Sequence, residues 1–173
     1  VAFADIDNDS DEDVLITGFS EEVGSITRLY LNDGFGSFTE TANNSFLGFT
    51  RNSIDFGDVD GDGDVDLIIS GINSQGWRAT NLYLNDGFGG FSEVNDTPFE
   101  PGYQGTVTFT DFDADGDNDV LLTTDSNVPF ERLTILYSNN GDGLFTEVTD
   151  TPFYGVHHSS VAINDVDGDG DDD

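Results

Sequence analysis

Four stretches of the chain place an aspartate at every second position: Asp5-Ile-Asp-Asn-Asp-Ser-Asp-Glu-Asp13, Asp58-Val-Asp-Gly-Asp-Gly-Asp-Val-Asp66, Asp111-Phe-Asp-Ala-Asp-Gly-Asp-Asn-Asp119 and Asp165-Val-Asp-Gly-Asp-Gly-Asp-Asp-Asp173. Carboxylates gathered this closely oppose one another. Two unit charges about 5 Å apart repel by roughly 3 kcal/mol at an effective dielectric of 20. A hard cation removes that cost, and oxygen-only donors on a pliable loop suit calcium better than the smaller, strictly octahedral magnesium. The expected ligands are the side chains at positions 1, 3, 5 and 9 and the backbone carbonyl of position 7. They are Asp5, Asp7, Asp9, Asp11 (carbonyl) and Asp13; Asp58, Asp60, Asp62, Asp64 (carbonyl) and Asp66; and Asp111, Asp113, Asp115, Asp117 (carbonyl) and Asp119. One Ca2+ is expected in each of these three loops. The fourth set, Asp165, Asp167, Asp169, Asp171 and Asp173, has the side chains but no strand after it.

Glycine at position 6 (Gly63, Gly116, Gly170) supplies the left-handed corner that folds such a loop round an ion. Ser10 stands there in the first loop, which is therefore expected to be strained. The competing reading of an acidic run is a solvated, disordered tract. It is disfavoured by phase, since an apolar run follows position 9 directly in the first three loops. An EF-hand is excluded because position 12 holds Ile16, Ile69 and Leu122 instead of a bidentate glutamate.

The chain has 173 residues, with 36 acidic against 4 basic side chains and a formal charge of −32. Such a surface repels nucleic acid and anionic membranes, so neither is expected as a partner. High charge with low hydrophobicity would suggest disorder, yet 15 Phe, 5 Tyr and one Trp argue for a packed core. Bound divalent ions reconcile the two. Cysteine is absent, which excludes a disulfide scaffold and thiolate zinc sites. Oxygen sites of modest affinity fill where calcium is abundant, so an extracellular location, secreted or at the cell surface, is expected. These residues contain no signal-peptide, membrane-spanning or lipidation pattern. The chain opens in mid-strand and closes inside an Asp loop, so any targeting segment is expected to lie outside it.

The Asp loops recur with steps of 53, 53 and 54 residues, beginning at 5, 58, 111 and 165. Two further landmarks keep that step. One is Tyr30-Leu-Asn-Asp-Gly-Phe-Gly-Ser-Phe38, matched at 83–91 and 137–145; the other is Asn44-Ser-Phe46, Thr97-Pro-Phe99 and Thr151-Pro-Phe153. Each unit reads as four short strands. Strand A alternates (Ile54 and Phe56, Val107 and Phe109, Val161 and Ile163), and strand B is a continuous apolar run (Val14 to Ile16, Leu67 to Ile69, Val120 to Leu122) suited to cover on both faces. Strand C ends at Leu31, Leu84 and Tyr137, and Asn-Asp-Gly or Asn-Asn-Gly is expected to form a tight hairpin into strand D. Strand D carries Phe38, Phe91 and Phe145, which as repeat-wide residues are expected in the core. Four-stranded units at this spacing imply an all-β chain of β-propeller blades. Three blades (1–48, 49–101 and 102–155) are complete, and 156–173 begins a fourth, an incomplete ring within one propeller segment. The remaining blades are expected from the parent chain.

The Asp loops and the Asn-Asp-Gly-Phe-Gly-x-Phe turns resemble FG-GAP repeats of the VCBS type, the blades of integrin α-subunit propellers and of many secreted bacterial proteins. The resemblance implies calcium between strands A and B on one face. It places ligand contacts, to a protein or a glycan, mostly on the opposite face. Candidates there are Trp77, Arg78, Tyr103, Phe130, Arg132 and Tyr154. His157 and His158, adjacent on an expected strand, would point oppositely and form no pair. No Ser/His/Asp set or isolated carboxylate dyad stands out, so an adhesive or binding role is expected in place of catalysis. The alternatives are a rigid calcium-dependent spacer and the non-catalytic part of a secreted polysaccharide-active enzyme.

Overall fold

The computed structural model describes residues 1–42, 46–126 and 131–166. Twelve strands follow in order: β1 (Ala2–Ala4), β2 (Asp13–Ser20), β3 (Gly24–Asn32), β4 (Phe38–Glu40), β5 (Phe49–Gly57), β6 (Asp66–Asn73), β7 (Arg78–Asn85), β8 (Phe91–Glu93), β9 (Thr106–Thr110), β10 (Asp119–Asp125), β11 (Arg132–Ser138) and β12 (Thr146–Glu147). All pairings are antiparallel, and they build three meanders, β1–β4, β5–β8 and β9–β12. A single pair, Ile26 with Phe49, joins the first two meanders into one eight-stranded sheet, while β9–β12 form a separate four-stranded sheet.

The continuous apolar runs are buried because alternate residues face two different neighbours. Leu67 and Ile69 of β6 pack with Ile6, Leu15 and Leu29 of the first unit and with Phe49 at the start of β5. Ile68, between them, packs with Val107, Phe109, Val120 and Leu122 of the third. The core is thus a series of inter-blade layers. Each layer is sealed by the last phenylalanine of a repeat. Phe46 meets Tyr83 edge-on at 5.2 Å and tilts onto Phe91 at 5.3 Å; Phe99 repeats this on Tyr137 at 5.1 Å and Phe145 at 5.0 Å. Such aromatic pairs add about 1 kcal/mol each beyond the area they bury.

The layers also correct one expectation. Phe91 and Phe145 are each 9% exposed, but Phe38 is 48% exposed. Burial of this residue comes from the preceding unit's phenylalanine, and within these residues no unit precedes Phe38. The expected strand A of the fourth unit is likewise absent, since 161–163 carry no strand pairing. Val161 and Ile163 instead line an open apolar groove of ≈ 350 Å³ with Leu121, Leu136 and Phe153. The Asn-Asp-Gly turns are wider than a two-residue hairpin. Asn32 pairs with Phe38, leaving five residues, and the Asp33 N–H closes the loop on the Ser37 carbonyl at 3.1 Å.

Candidate metal centre

Each of the first three Asp loops joins strand A to strand B, and its fold follows from the position-1 carboxylate. Asp58 Oδ1 accepts the Gly61 N–H at 2.8 Å and Oδ2 the Gly63 N–H at 3.0 Å. Asp111 accepts from Asp115 and Gly116, both at 3.1 Å, and Asp5 accepts from Ser10 at 3.0 Å. This wrapping demands two left-handed residues per loop. Position 6 (Ser10 at φ 75°, Gly63 at 93°, Gly116 at 95°) is the expected one; position 4 (Asn8 at 60°, Gly61 at 74°, Ala114 at 56°) is a second that the glycine pattern did not reveal. Ser10 and Ala114 each hold a conformation costing a non-glycine residue on the order of 1 kcal/mol.

The wrapping brings carboxylate oxygens of Asp5, Asp7 and Asp13, of Asp58, Asp60 and Asp62, and of Asp111, Asp113 and Asp115 within 4.8 Å of one another in each group. Asp5 Oδ1 and Asp7 Oδ1 are buried without a hydrogen-bond partner. The carboxyls of Asp7 and Asp60 lie above their ordinary value, first through burial and then through neighbouring carboxylates. Orphaned oxygens, mutual repulsion and an all-oxygen donor set fit a hard divalent cation.

Positions 7 and 9 do something the spacing did not show. The position-9 carboxylates of Asp13, Asp66 and Asp119 are buried. Each accepts one N–H from the start of its own loop and one from the Asn of the following turn. The donors are Ile6 at 2.9 Å and Asn32 at 2.7 Å for Asp13, Val59 and Asn85 at 2.9 Å for Asp66, and Phe112 at 3.3 Å and Asn139 at 2.7 Å for Asp119. Burial raises the carboxyls of Asp66 and Asp119 to about 6 despite these donors. Position 9 is therefore a brace between the Asp loop and the Asn-Asp-Gly turn, with lone pairs left for an ion. At position 7 the carboxylates of Asp11, Asp64 and Asp117 lie against the turn glycines Gly34, Gly87 and Gly141, where a Cβ would collide with them. Those carboxylates are side-chain ends that can move aside, so the positive φ is what calls for glycine in the turn. The turn's own acid acts locally. Asp33 Oδ1 accepts the Phe35 and Ser37 N–H groups at 2.9 Å, which lowers its carboxyl, and Asn140 does the same work uncharged in the third unit.

The asparagines opening the turns tie one loop to the next blade. Asn85 Nδ2 donates to the Ile6 carbonyl at 2.8 Å and Asn139 Nδ2 to the Val59 carbonyl at 2.8 Å, each across about eighty residues of sequence. Asn118 donates to the Asp58 carbonyl at 2.8 Å, and Asn8 to Asp64 Oδ1 at 2.7 Å. These struts hold successive Asp loops in one row. Their signal in the sequence was the recurrence of Asn32, Asn85 and Asn139 at one repeat position, which turn chemistry alone had seemed to explain.

The far-face candidates lie at the opposite ends of the strands. Trp77 and Tyr154 are exposed. The Arg78 guanidinium stands over the Tyr103 ring at 4.6 Å and donates to the Asp125 carbonyl at 2.9 Å and to the Ser126 carbonyl. Arg132 Nε lies 3.8 Å from Asp125 Oδ1. Phe130 and, of the fourth loop, Asp167, Asp169, Asp171 and Asp173 lie outside the described residues; Asp165 is described and stands outside the three carboxylate groups found among the described residues. The two histidines contradict the expectation. His158 has φ 51°, so the segment is no strand and the rings face each other, Nδ1 to Nδ1 at 3.2 Å, with His157 Nδ1 3.5 Å from Asp125 Oδ1.

Three antiparallel meanders packed face to face, stacked in sequence and not closed on themselves, define an all-β repeat protein, an incomplete β-propeller-like segment. The family comparison agrees: the model of the FG-GAP-like repeat matches residues 5–69 and 111–173, each match running from one Asp loop to the next. The chain belongs to the FG-GAP-like repeat family. No curated protein and no solved structure matches it.

Proposed function

We propose that this chain is a calcium-binding propeller segment of an extracellular protein. In this reading Ca2+ in the Asp loops rigidifies the row of blades, and the opposite face presents loops to a protein or glycan ligand in adhesion or recognition. The observation that carries the metal reading is the convergence of three carboxylates in each described loop, with Asp5 Oδ1 and Asp7 Oδ1 buried and unpartnered. Calcium is favoured over magnesium because the donor set expected of one loop, four carboxylates and a backbone carbonyl, suits a larger and less directional ion. A binding role in place of catalysis is supported by the use of the clustered aspartates as loop formers, braces and candidate ligands. The extracellular assignment rests on where calcium is plentiful enough to fill such sites. A spacer without a ligand of its own is supported by the struts from Asn85 and Asn139, which join blades at the Asp-loop end.

Calorimetric titration of the chelator-treated protein tests the metal reading. Three calcium ions bound per chain are expected from the described loops, with a fourth if the 165–173 loop closes in solution. Magnesium at the same concentration should compete weakly. Stoichiometry below one, or equal affinity for the two metals, would overturn it.

A further inference from the structure

All four basic residues of this chain are arginines, and they face 36 carboxylates. Each guanidinium could have been paired many times over. Arg28 is paired, with Glu40 at 3.0 Å, and Arg132 shares Asp125 with His157. Among the described residues, Arg51 and Arg78 have no ion pair with a carboxylate. They come from different strands, β5 and β7, yet both stand over the ring of Tyr103, with Cζ 6.0 and 4.6 Å from its centroid. The ring is fixed through its backbone: the Tyr103 N–H donates to Thr124 Oγ1 at 2.8 Å, and its carbonyl accepts from Asp125 at 3.2 Å. Arg51 is exposed and sits at a left-handed bulge where β5 slips against β6. Three of the four arginines and both histidines thus collect at the end of the strands away from the Asp loops.

We infer that Arg51 and Arg78, set on Tyr103, form a receptor for the carboxylate of an acidic polysaccharide. The inference deepens the far-face ligand reading and rests on it. Two guanidinium groups without a carboxylate partner among the described residues stand against one ring. Arg78 keeps part of its fork on two backbone carbonyls, and a guanidinium is a planar donor fork matched to a carboxylate. The chain's negative charge does not forbid this. β6 spans eight residues, roughly 26 Å of strand, while screening decays over about 8 Å at physiological salt. Two acids lie beside the carbonyls that Arg78 contacts: the Asp125 carboxylate is engaged by Arg132 and His157, and the Glu131 carboxylate accepts from Ser126 Oγ at 2.8 Å. A polysaccharide is favoured over an acidic peptide by the neighbouring aromatics. Trp77 precedes Arg78, and the Tyr154 carbonyl accepts from Thr134, close to Arg132 along β11. Both rings are exposed, offering flat apolar faces of the kind a pyranose ring covers.

Trp77 is the only tryptophan, so intrinsic fluorescence reports on this face. The test titrates calcium-saturated protein with a hyaluronan octasaccharide, with the same oligosaccharide after reduction of its carboxylates to alcohols, and with tetraglutamate. A saturable fluorescence change with the octasaccharide is expected, weakened about tenfold or more by carboxyl reduction and by Arg51→Gln. Among the described residues the Arg51 side chain donates no hydrogen bond and is exposed, so the variant should keep its melting temperature and calcium stoichiometry. Equal affinity for the reduced sugar, indifference to Arg51→Gln, or no saturable change at millimolar sugar would overturn the inference. Tighter binding of tetraglutamate would reassign the site to acidic peptides and overturn the glycan choice. Calcium titration of the same samples separates the two readings: uronate binding without calcium binding sinks the metal reading alone, and the converse sinks this one alone.

Discussion

At the Asp-loop end of the blades nearly every functional side chain has a copy one repeat away, whereas at the opposite end almost none does. Asp13, Asp66 and Asp119 are the same brace three times, and Asn85 and Asn139 the same strut twice. Of the groups there only Arg78 recurs, as Arg132 at the start of β11; Arg51, Tyr103, Asp125 and His157 have no copy of their own type, and they meet because successive units are stacked. The first end carries concentrated negative charge in groups that could hold a metal ion, and the second carries most of the cationic side chains. The difference teaches a division of labour. What every blade needs is repeated and holds the stack together, and what a ligand would need is assembled once, at the end free to vary.

The contrast is broken most severely by removing the metal. At a hundredfold excess over Kd, each calcium ion contributes about 2.7 kcal/mol, or roughly 8 kcal/mol for three sites. For a chain of this size that corresponds to a fall of about 15–30 °C in melting temperature on adding EDTA. Superimposable melts with and without chelator would remove the premise.

The pH dependence of the metal-free protein should be the next largest effect. Burial holds the carboxyls of Asp66 and Asp119 at about 6, so the folded apo-protein binds these protons more tightly than the unfolded chain. The stability they contribute is complete below about pH 4 and is lost as pH rises through 6, by up to about 3 kcal/mol per group. A bound cation favours the charged form and reverses the slope. Thermal melts between pH 4 and 6.5 should therefore fall without calcium and rise with it; parallel slopes would show that these carboxylates do not sense the ion.

Asp66→Ala should unfold the middle blade more readily at any calcium concentration, because it strands the Val59 and Asn85 N–H groups. A loss of about 3 kcal/mol in urea titrations is expected. A loss visible only with calcium present would make Asp66 a ligand and not a brace. The smallest effect is a gain. Ser10→Gly relieves a φ of 75° and should stabilise the first loop by about 1 kcal/mol, which would tighten its calcium site relative to wild type in the same titration.

The repeat and its Asp loops were legible because each landmark recurs in one register and each residue type answers to a local rule. Alternation named the strands, glycine at position 6 named the corner, and the alternate aspartates named where carboxylates gather. Expectations failed where a residue's surroundings come from another repeat. Phe38 shares its identity with Phe91 and Phe145 but lacks a preceding phenylalanine to cover it. His157 and His158 were read by strand geometry, and the left-handed backbone at His158 replaced that geometry. The same conformation recurs at Arg51 and Gln104, so the backbone turns left-handed at one repeat position of the second, third and fourth units, a regularity hidden because the three residues differ in type.

By itself the sequence determined the blade, its period and the oxygen-rich loops, since these depend on neighbours a few residues apart whose order is fixed by the chain. Only the tertiary structure decided that position 9 braces a turn about twenty residues away, that Asn85 and Asn139 bind the preceding blade, and that two arginines share one tyrosine ring. Those contacts span 19 to 80 residues of sequence. Their partners are chosen by how sheets stack, which no local pattern of residue types encodes.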